Sequence, residues 1–163
     1  MLKTLNVLTF LFLSFIFFAS SAQCLSVEEP QEVIGAFDPS VSPDGKNLIF
    51  SYQGDIWTAS CEGGMARRLT VHEADEWLPV YSPDGKWIAF SSDRSGAFNV
   101  YIMSAFGGRP RQLTYSSAGD QVSAFSPDGK YILFSSHRDW LRNRTYKISV
   151  DGGQPETINK EEI

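Results

Sequence analysis

The phrase Ser-Pro-Asp-Gly-Lys occurs three times in this chain, at Ser42–Lys46, Ser82–Lys86 and Ser126–Lys130. The starts lie 40 and then 44 residues apart. A period of this size describes an array of supersecondary units, each of which needs a neighbour to cover its apolar faces. It argues against a single compact enzyme domain, and every other reading of the chain has to fit it.

More than the turn recurs. Each copy is followed by an apolar run: Leu48-Ile49-Phe50, Trp87-Ile88-Ala89-Phe90 and Tyr131-Ile132-Leu133-Phe134. A second β-rich run comes next, at Asp55-Ile56-Trp57, Asn99-Val100-Tyr101 and Arg144-Thr145-Tyr146. A double glycine follows in each case (Gly63-Gly64, Gly107-Gly108, Gly152-Gly153), and then an aliphatic residue, Leu69, Leu113 or Ile158. Thr70 and Thr114 come directly after the first two, whereas the third copy has Asn159. In the turn, proline presets φ, aspartate hydrogen-bonds nearby amides and glycine takes the left-handed conformation that closes a hairpin. The run after the turn is apolar at consecutive positions, as in a strand covered on both faces; a strand with one wet face would alternate. The Gly-Gly turn then sends the chain into an outer strand ending at Leu-Thr.

Each copy therefore predicts four short antiparallel strands in about 40–45 residues, which is one blade of a β-propeller. The expected fold is all-β, a partial β-propeller of three four-stranded blades at about 34–70, 76–114 and 121–159. A β-sandwich is the rival architecture, and the shared phase of three separate motifs disfavours it. Propellers close with about 4–8 blades, so three blades read as the start of a longer propeller. A six-bladed dimer and a truncated chain are the alternatives.

Residues 1–22 read as a secretory signal. Lys3 precedes the apolar stretch Leu5–Ala19, and Ser20-Ser21-Ala22 offers small residues for cleavage. An extended segment, 23–33, would join it to the first blade. The expected location is periplasmic or secreted, with no membrane insertion after cleavage. The chain carries 14 Lys and Arg against 19 Asp and Glu, a net charge of −5, which argues against nucleic-acid partners. An oxidising compartment permits a Cys24–Cys61 bridge. The alternative is a free Cys61 thiol packed at a strand end. Neither cysteine has a partner at metal-ligand spacing.

The stretch Ser82–Thr114, SPDGKWIAFSSDRSGAFNVYIMSAFGGRPRQLT, resembles the WD40-like repeat of TolB-type propellers and of the propeller that precedes the catalytic region in tricorn-type serine peptidases. Gly54–Lys86 is similar to the tricorn-type set in particular. The tricorn-type resemblance implies a propeller that filters peptide access or contacts a partner domain, ahead of a PDZ module and a serine-peptidase domain. The TolB-type resemblance implies a docking platform for envelope proteins. That family's extra N-terminal domain has no counterpart in the short segment between Ala22 and the first blade.

No Gly-x-Ser-x-Gly nucleophile motif occurs, and the histidines are His72 and His137. His137-Arg138-Asp139 reads as a polar hairpin flank. The cluster His72-Glu73-Ala74-Asp75-Glu76 reads as a solvated connection and not a cation site, since the glycine and distal glutamate of a calcium loop are missing. Asp93-Arg94 is expected to form a local surface pair. Asn143-Arg144-Thr145 fits a glycosylation acceptor. Trp57 and Trp87 are expected in the core, and Trp140, beside Arg138 and Arg142, is the contact candidate. No catalytic set, metal or cofactor is expected. The predicted function is a non-catalytic module that binds a protein or peptide and packs against the remaining blades or domains of a longer chain.

Overall fold

The computed structural model describes residues 32–139 and 142–158. Residues 1–22, read above as a secretory signal, Cys24 and Trp140 lie outside them. Twelve strands and no helix occur among the described residues. Blade 1 comprises β1 (Phe37–Val41), β2 (Asn47–Tyr52), β3 (Asp55–Ser60) and β4 (Arg67–Arg68). Blade 2 comprises β5 (Glu76–Tyr81), β6 (Trp87–Ser92), β7 (Asn99–Ser104) and β8 (Arg111–Gln112). Blade 3 comprises β9 (Asp120–Phe125), β10 (Tyr131–Ser136), β11 (Arg144–Ser149) and β12 (Glu156–Thr157). They form three separate four-stranded sheets in sequence order, antiparallel throughout. A continuous sandwich is thereby excluded.

The repeated phrase builds the same turn three times. In blade 2 the Gly85 amide donates to the Ser82 carbonyl at 2.9 Å, and Gly85 takes φ +71°. The Ser82 hydroxyl donates to Asp84 Oδ1 at 2.6 Å and accepts the Trp87 amide at 2.9 Å. Asp84 Oδ1 also accepts the Lys86 amide at 3.1 Å. Serine and aspartate thus satisfy the two amides that re-enter the sheet, and proline and glycine set the backbone. Blades 1 and 3 repeat these contacts through Ser42 and Asp44 and through Ser126 and Asp128.

The outermost strands are shorter than the sequence suggests, two residues each, and stop before the Leu-Thr pair. Leu69 and Leu113 are buried. The Thr70 and Thr114 hydroxyls accept the Ile56 and Val100 amides, both at 2.9 Å. These hydroxyls continue the ladder where backbone pairing ends.

The core lies between blades. Ile88, Phe90, Tyr101 and Met103 of blade 2 pack on Ile49, Ile56 and Leu69 of blade 1. From the opposite face of the same sheet, Ala89, Val100, Ile102 and Leu113 pack on Val122, Phe125, Ile132, Phe134, Tyr146 and Ile148 of blade 3. Every residue of β6 after Trp87 is buried. By contrast, β10 alternates: Ile132, Phe134 and Ser136 are buried, whereas Tyr131, Leu133 and Ser135 are half-buried. On that outer face, blade 3 carries Leu133, Thr145 and Lys147 at the positions of Ala89, Val100 and Ile102. Polar bonds add to the stacking. The Glu76 amide donates to the Gly54 carbonyl at 3.0 Å, the Asp120 amide to the Phe98 carbonyl at 2.7 Å, and the Val122 amide to Ser91 Oγ at 2.8 Å.

The expected placement of three side chains is corrected. Trp87 is 44% exposed, because it opens its strand at the rim of the blade. Trp57 is half-buried, its indole N–H donating to the Tyr52 carbonyl at 3.0 Å. Cys61 is exposed just past the end of β3, not packed.

Truncating Ile88 to alanine is expected to lower the unfolding free energy by about 2–5 kcal/mol. Leu133→Ala, an apolar deletion on the outer face of blade 3, should cost less than about 1 kcal/mol. Urea denaturation of both variants checks this, and equal losses would contradict the stacking account.

Candidate binding groove between blades 1 and 2

The polar residues singled out in the sequence divide between an internal clasp and the surface. In blade 3, Arg138 Nη2 donates to the fully buried Asp120 Oδ2 at 2.6 Å, and Arg138 Nε donates to Ser136 Oγ at 3.2 Å. Its guanidinium lies 4.9 Å from the Tyr146 ring centroid and 5.3 Å from that of Phe134. Blade 2 repeats the arrangement. Arg94 pairs with the fully buried Glu76, its Nε donates to Ser92 Oγ at 3.2 Å, and its guanidinium stands 4.9 Å from Tyr101 and 5.8 Å from Phe90. Burial pushes the Arg94 guanidinium below its usual pKa, while the nearby Tyr101 and Asp55 act to raise it. The expected surface pair of Asp93 with Arg94 is therefore corrected. Arg94 turns back over the sheet to Glu76, and Asp93 Oδ1 accepts the Asp75 amide at 2.9 Å.

Arg138 is thus held inside its blade. Arg142 is exposed, with its amide donating to the Asp139 carbonyl at 3.0 Å. The residues of the His72–Glu76 cluster diverge: His72 Nδ1 accepts the Ala74 amide at 3.0 Å, and Glu76 is committed to the clasp. No group of three or more His, Cys, Asp or Glu side chains among the described residues is set to hold a metal ion.

At the other end of the blades, where the Ser-Pro-Asp-Gly-Lys and Gly-Gly turns lie, a groove of about 590 Å³ opens between blades 1 and 2. Sites that hold small ligands fall in this size range. Asn47 at the start of β2, Thr58 and Ser60 on β3, and Tyr81 at the end of β5 supply its polar surface. Arg67 on β4 and the turn carboxylates Asp44 and Asp84 supply charge. Met65 and Phe106, at the tips of the Gly-Gly turns, form apolar lips and are each 83% exposed.

The electrostatics are uneven. Burial raises the Tyr81 hydroxyl above its ordinary pKa of 10.0, opposed by a hydrogen bond with Thr58; the Asp44 and Cys61 charges raise it further and Arg67 lowers it. Asp44 and Asp84 are held below the ordinary 3.8, first by the Ser42 and Ser82 hydroxyls and then by the Lys46 and Lys86 amides.

Comparison of the repeats explains the opening. Register places Trp87 at the position of Asn47, Ile102 at that of Thr58 and Phe125 at that of Tyr81. Bulky apolar groups thus line the blade 2–3 junction where smaller or more polar ones line the blade 1–2 junction. The lips are equally position-specific. Arg109 and Gln154 stand where blade 1 has Met65, and Glu62 and Asp151 stand where blade 2 has Phe106. Sequence reasoning missed this site, although the signal was an apolar residue at a turn tip that is polar in the other copies.

Stacked four-stranded blades with a groove at one face define a β-propeller module. Residues 37–163 match the family model described as the tricorn protease N-terminal beta propeller domain, and the chain belongs to that family. It is 40% identical over 81 residues to the uncharacterized peptidase YuxL of Bacillus subtilis, an alignment covering 46% of this chain and 12% of that protein. The chain therefore spans a small part of this relative's length. Among solved structures, a putative TolB from Agrobacterium tumefaciens superimposes with TM-score 0.69 at 30% identity, covering 78% of this chain and 50% of that one. The tricorn protease shares the fold, with TM-score 0.64 at 21% identity over 76% of this chain and 13% of that one.

The three turn aspartates should titrate below 3.8 in the folded protein. A carboxyl whose folded pKa is lowered stabilises the fold above its unfolded pKa, and that contribution is lost as pH falls through the folded value. Carboxyl-carbon NMR titration is expected to give midpoints below 3.8 for Asp44, Asp84 and Asp128, with Ser82→Ala moving Asp84 alone back upward. A normal Asp84 midpoint in the unsubstituted protein would contradict the turn account.

Proposed function

We propose that this chain is a non-catalytic propeller module that binds a protein or peptide segment in the groove between blades 1 and 2. It acts outside the cytoplasm, after removal of residues 1–22, as the N-terminal propeller of a longer tricorn-like peptidase. The observation that carries the reading is the pair of exposed lips, Met65 and Phe106, flanking a groove that also offers hydroxyl, amide and charged groups. Large apolar side chains at turn tips meet water unfavourably and are well placed to close over a partner's side chain. Support for the parent comes from the family match over residues 37–163 and from the peptidase relative. Within this module the residues hold and orient, and the chemistry belongs to another domain. His72 Nδ1 is already engaged by the Ala74 amide, which suits a structural role.

A second reading is favoured by the likeness to the putative TolB, which covers 78% of this chain at 30% identity. On that reading the same face docks a folded envelope protein.

Equilibrium dialysis of the full chain against a defined mixture of short peptides separates these readings. Retention of intact peptides is expected, weakened about tenfold by Phe106→Ser, as for loss of an aromatic anchor worth somewhat more than 1 kcal/mol. Absence of retention would favour whole-protein docking. Cleavage that disappears on substitution of a serine would contradict the non-catalytic assignment.

A further inference from the structure

Arg67 and Arg111 occupy the same position in their blades, opposite Thr58 and Ile102. Both reach the Gly-Gly turn of the following blade. A Cβ placed on Gly107 would lie 3.9 Å from Arg67 Nη1, and one on Gly152 would lie 3.6 Å from Arg111 Nη1. Only Arg111 uses the turn, donating to the Val150 carbonyl at 2.6 Å and the Asp151 carbonyl at 3.0 Å. Among the described residues the Arg67 side chain makes no hydrogen bond or ion pair. The two carboxylates of the groove are each engaged by their own turn through Oδ1. Asp44 Oδ1 and Asp84 Oδ1 each take a serine hydroxyl and a lysine amide, and Asp84 Oδ2 lies 3.6 Å from Lys86 Nζ.

An uncommitted guanidinium with a planar fork of donors matches a carboxylate. The Thr58 and Tyr81 hydroxyls line the same groove and can complete its coordination. The lips, Met65 and Phe106, suit an apolar side chain next to that carboxylate. We propose that Arg67 makes the blade 1–2 groove selective for a peptide segment in which a carboxylate adjoins a large apolar side chain. This rests on the peptide-binding reading above and specifies its ligand. The carboxylate can come from an internal acidic residue or from the chain end.

Fluorescence anisotropy with labelled peptides and the full chain tests it. The probes are a blocked Gly-Gly-Phe-Glu-Gly-Gly amide, its counterpart with Gln replacing Glu, its counterpart with Ala replacing Phe, and a Gly-Gly-Phe free acid. The expected result is that the Phe-Glu peptide binds about tenfold or more tightly than the Phe-Gln peptide, as for one charge-assisted bond. Arg67→Gln should erase that difference, and Phe106→Ser should weaken both peptides together. If only the free acid binds, and does so through Arg67, the chain end is the source and the selectivity stands. Equal affinity for Glu and Gln peptides, or a Glu preference that survives Arg67→Gln, overturns the proposal while leaving peptide binding in place. Failure of every probe to bind counts against the peptide-binding reading itself and removes the proposal with it.

Discussion

Each blade is a sheet that buries its apolar side chains against a neighbour and has almost no interior of its own. The side chains that a folded domain would normally enclose are here shared between neighbours. Ile88 and Phe90 bury against blade 1, and Ala89, between them in sequence, buries against blade 3. Because strand side chains alternate, one strand serves two interfaces at once. The stability of the stack is then a matter of nearest-neighbour contacts, as in other repeat proteins. Blade 2 is covered on both sides; the outer face of blade 3 is covered by nothing among the described residues and carries Lys147 and Thr145 where blade 2 has Ile102 and Val100.

Polar chemistry is arranged around that apolar stack and not within it. At one end, an acid opening the first strand, a serine closing the second and an arginine two residues later form a clasp over the aromatic residues of blades 2 and 3. Such pairs contribute little by attraction alone once desolvation is counted, but losing one partner leaves a buried charge uncompensated. At the other end, the turn phrase spends its serine and aspartate on backbone amides. Asn47, Thr58, Met65 and Phe106, which also line the groove, vary between repeats. A repeat fold separates the two tasks in this way: positions common to all copies build the stack, and positions where one copy departs from the others are free to make a site.

The fold was legible because its signals recur. The turn phrase, the apolar runs and the Gly-Gly pairs fall in one phase, and each corresponds to a specific hairpin or strand. Harder to read were features that depend on which side chain reaches across the sheet. Asp93-Arg94 looks local in sequence, yet Arg94 turns back to Glu76 across the blade. Trp87 looks like core, yet the first residue of a strand lies at the rim. Arg138 appeared as a surface contact beside Arg142, but the same backward turn draws it to Asp120. The groove was missed for the opposite reason. Its residues differ between copies, so a search for recurrence passes over Asn47, Thr58, Met65 and Phe106.

Native-state hydrogen exchange on the full chain tests the stacking account most directly, since it reads local stability blade by blade. The account predicts that the amides of β6 and β7, covered on both faces, exchange most slowly. Those of β2 and β3 in blade 1 and of β10 and β11 in blade 3, which share one junction each among the described residues, should exchange faster. Uniform protection across the three sheets, or slowest exchange in blade 3, would show that the blades do not depend on their neighbours and would contradict the account.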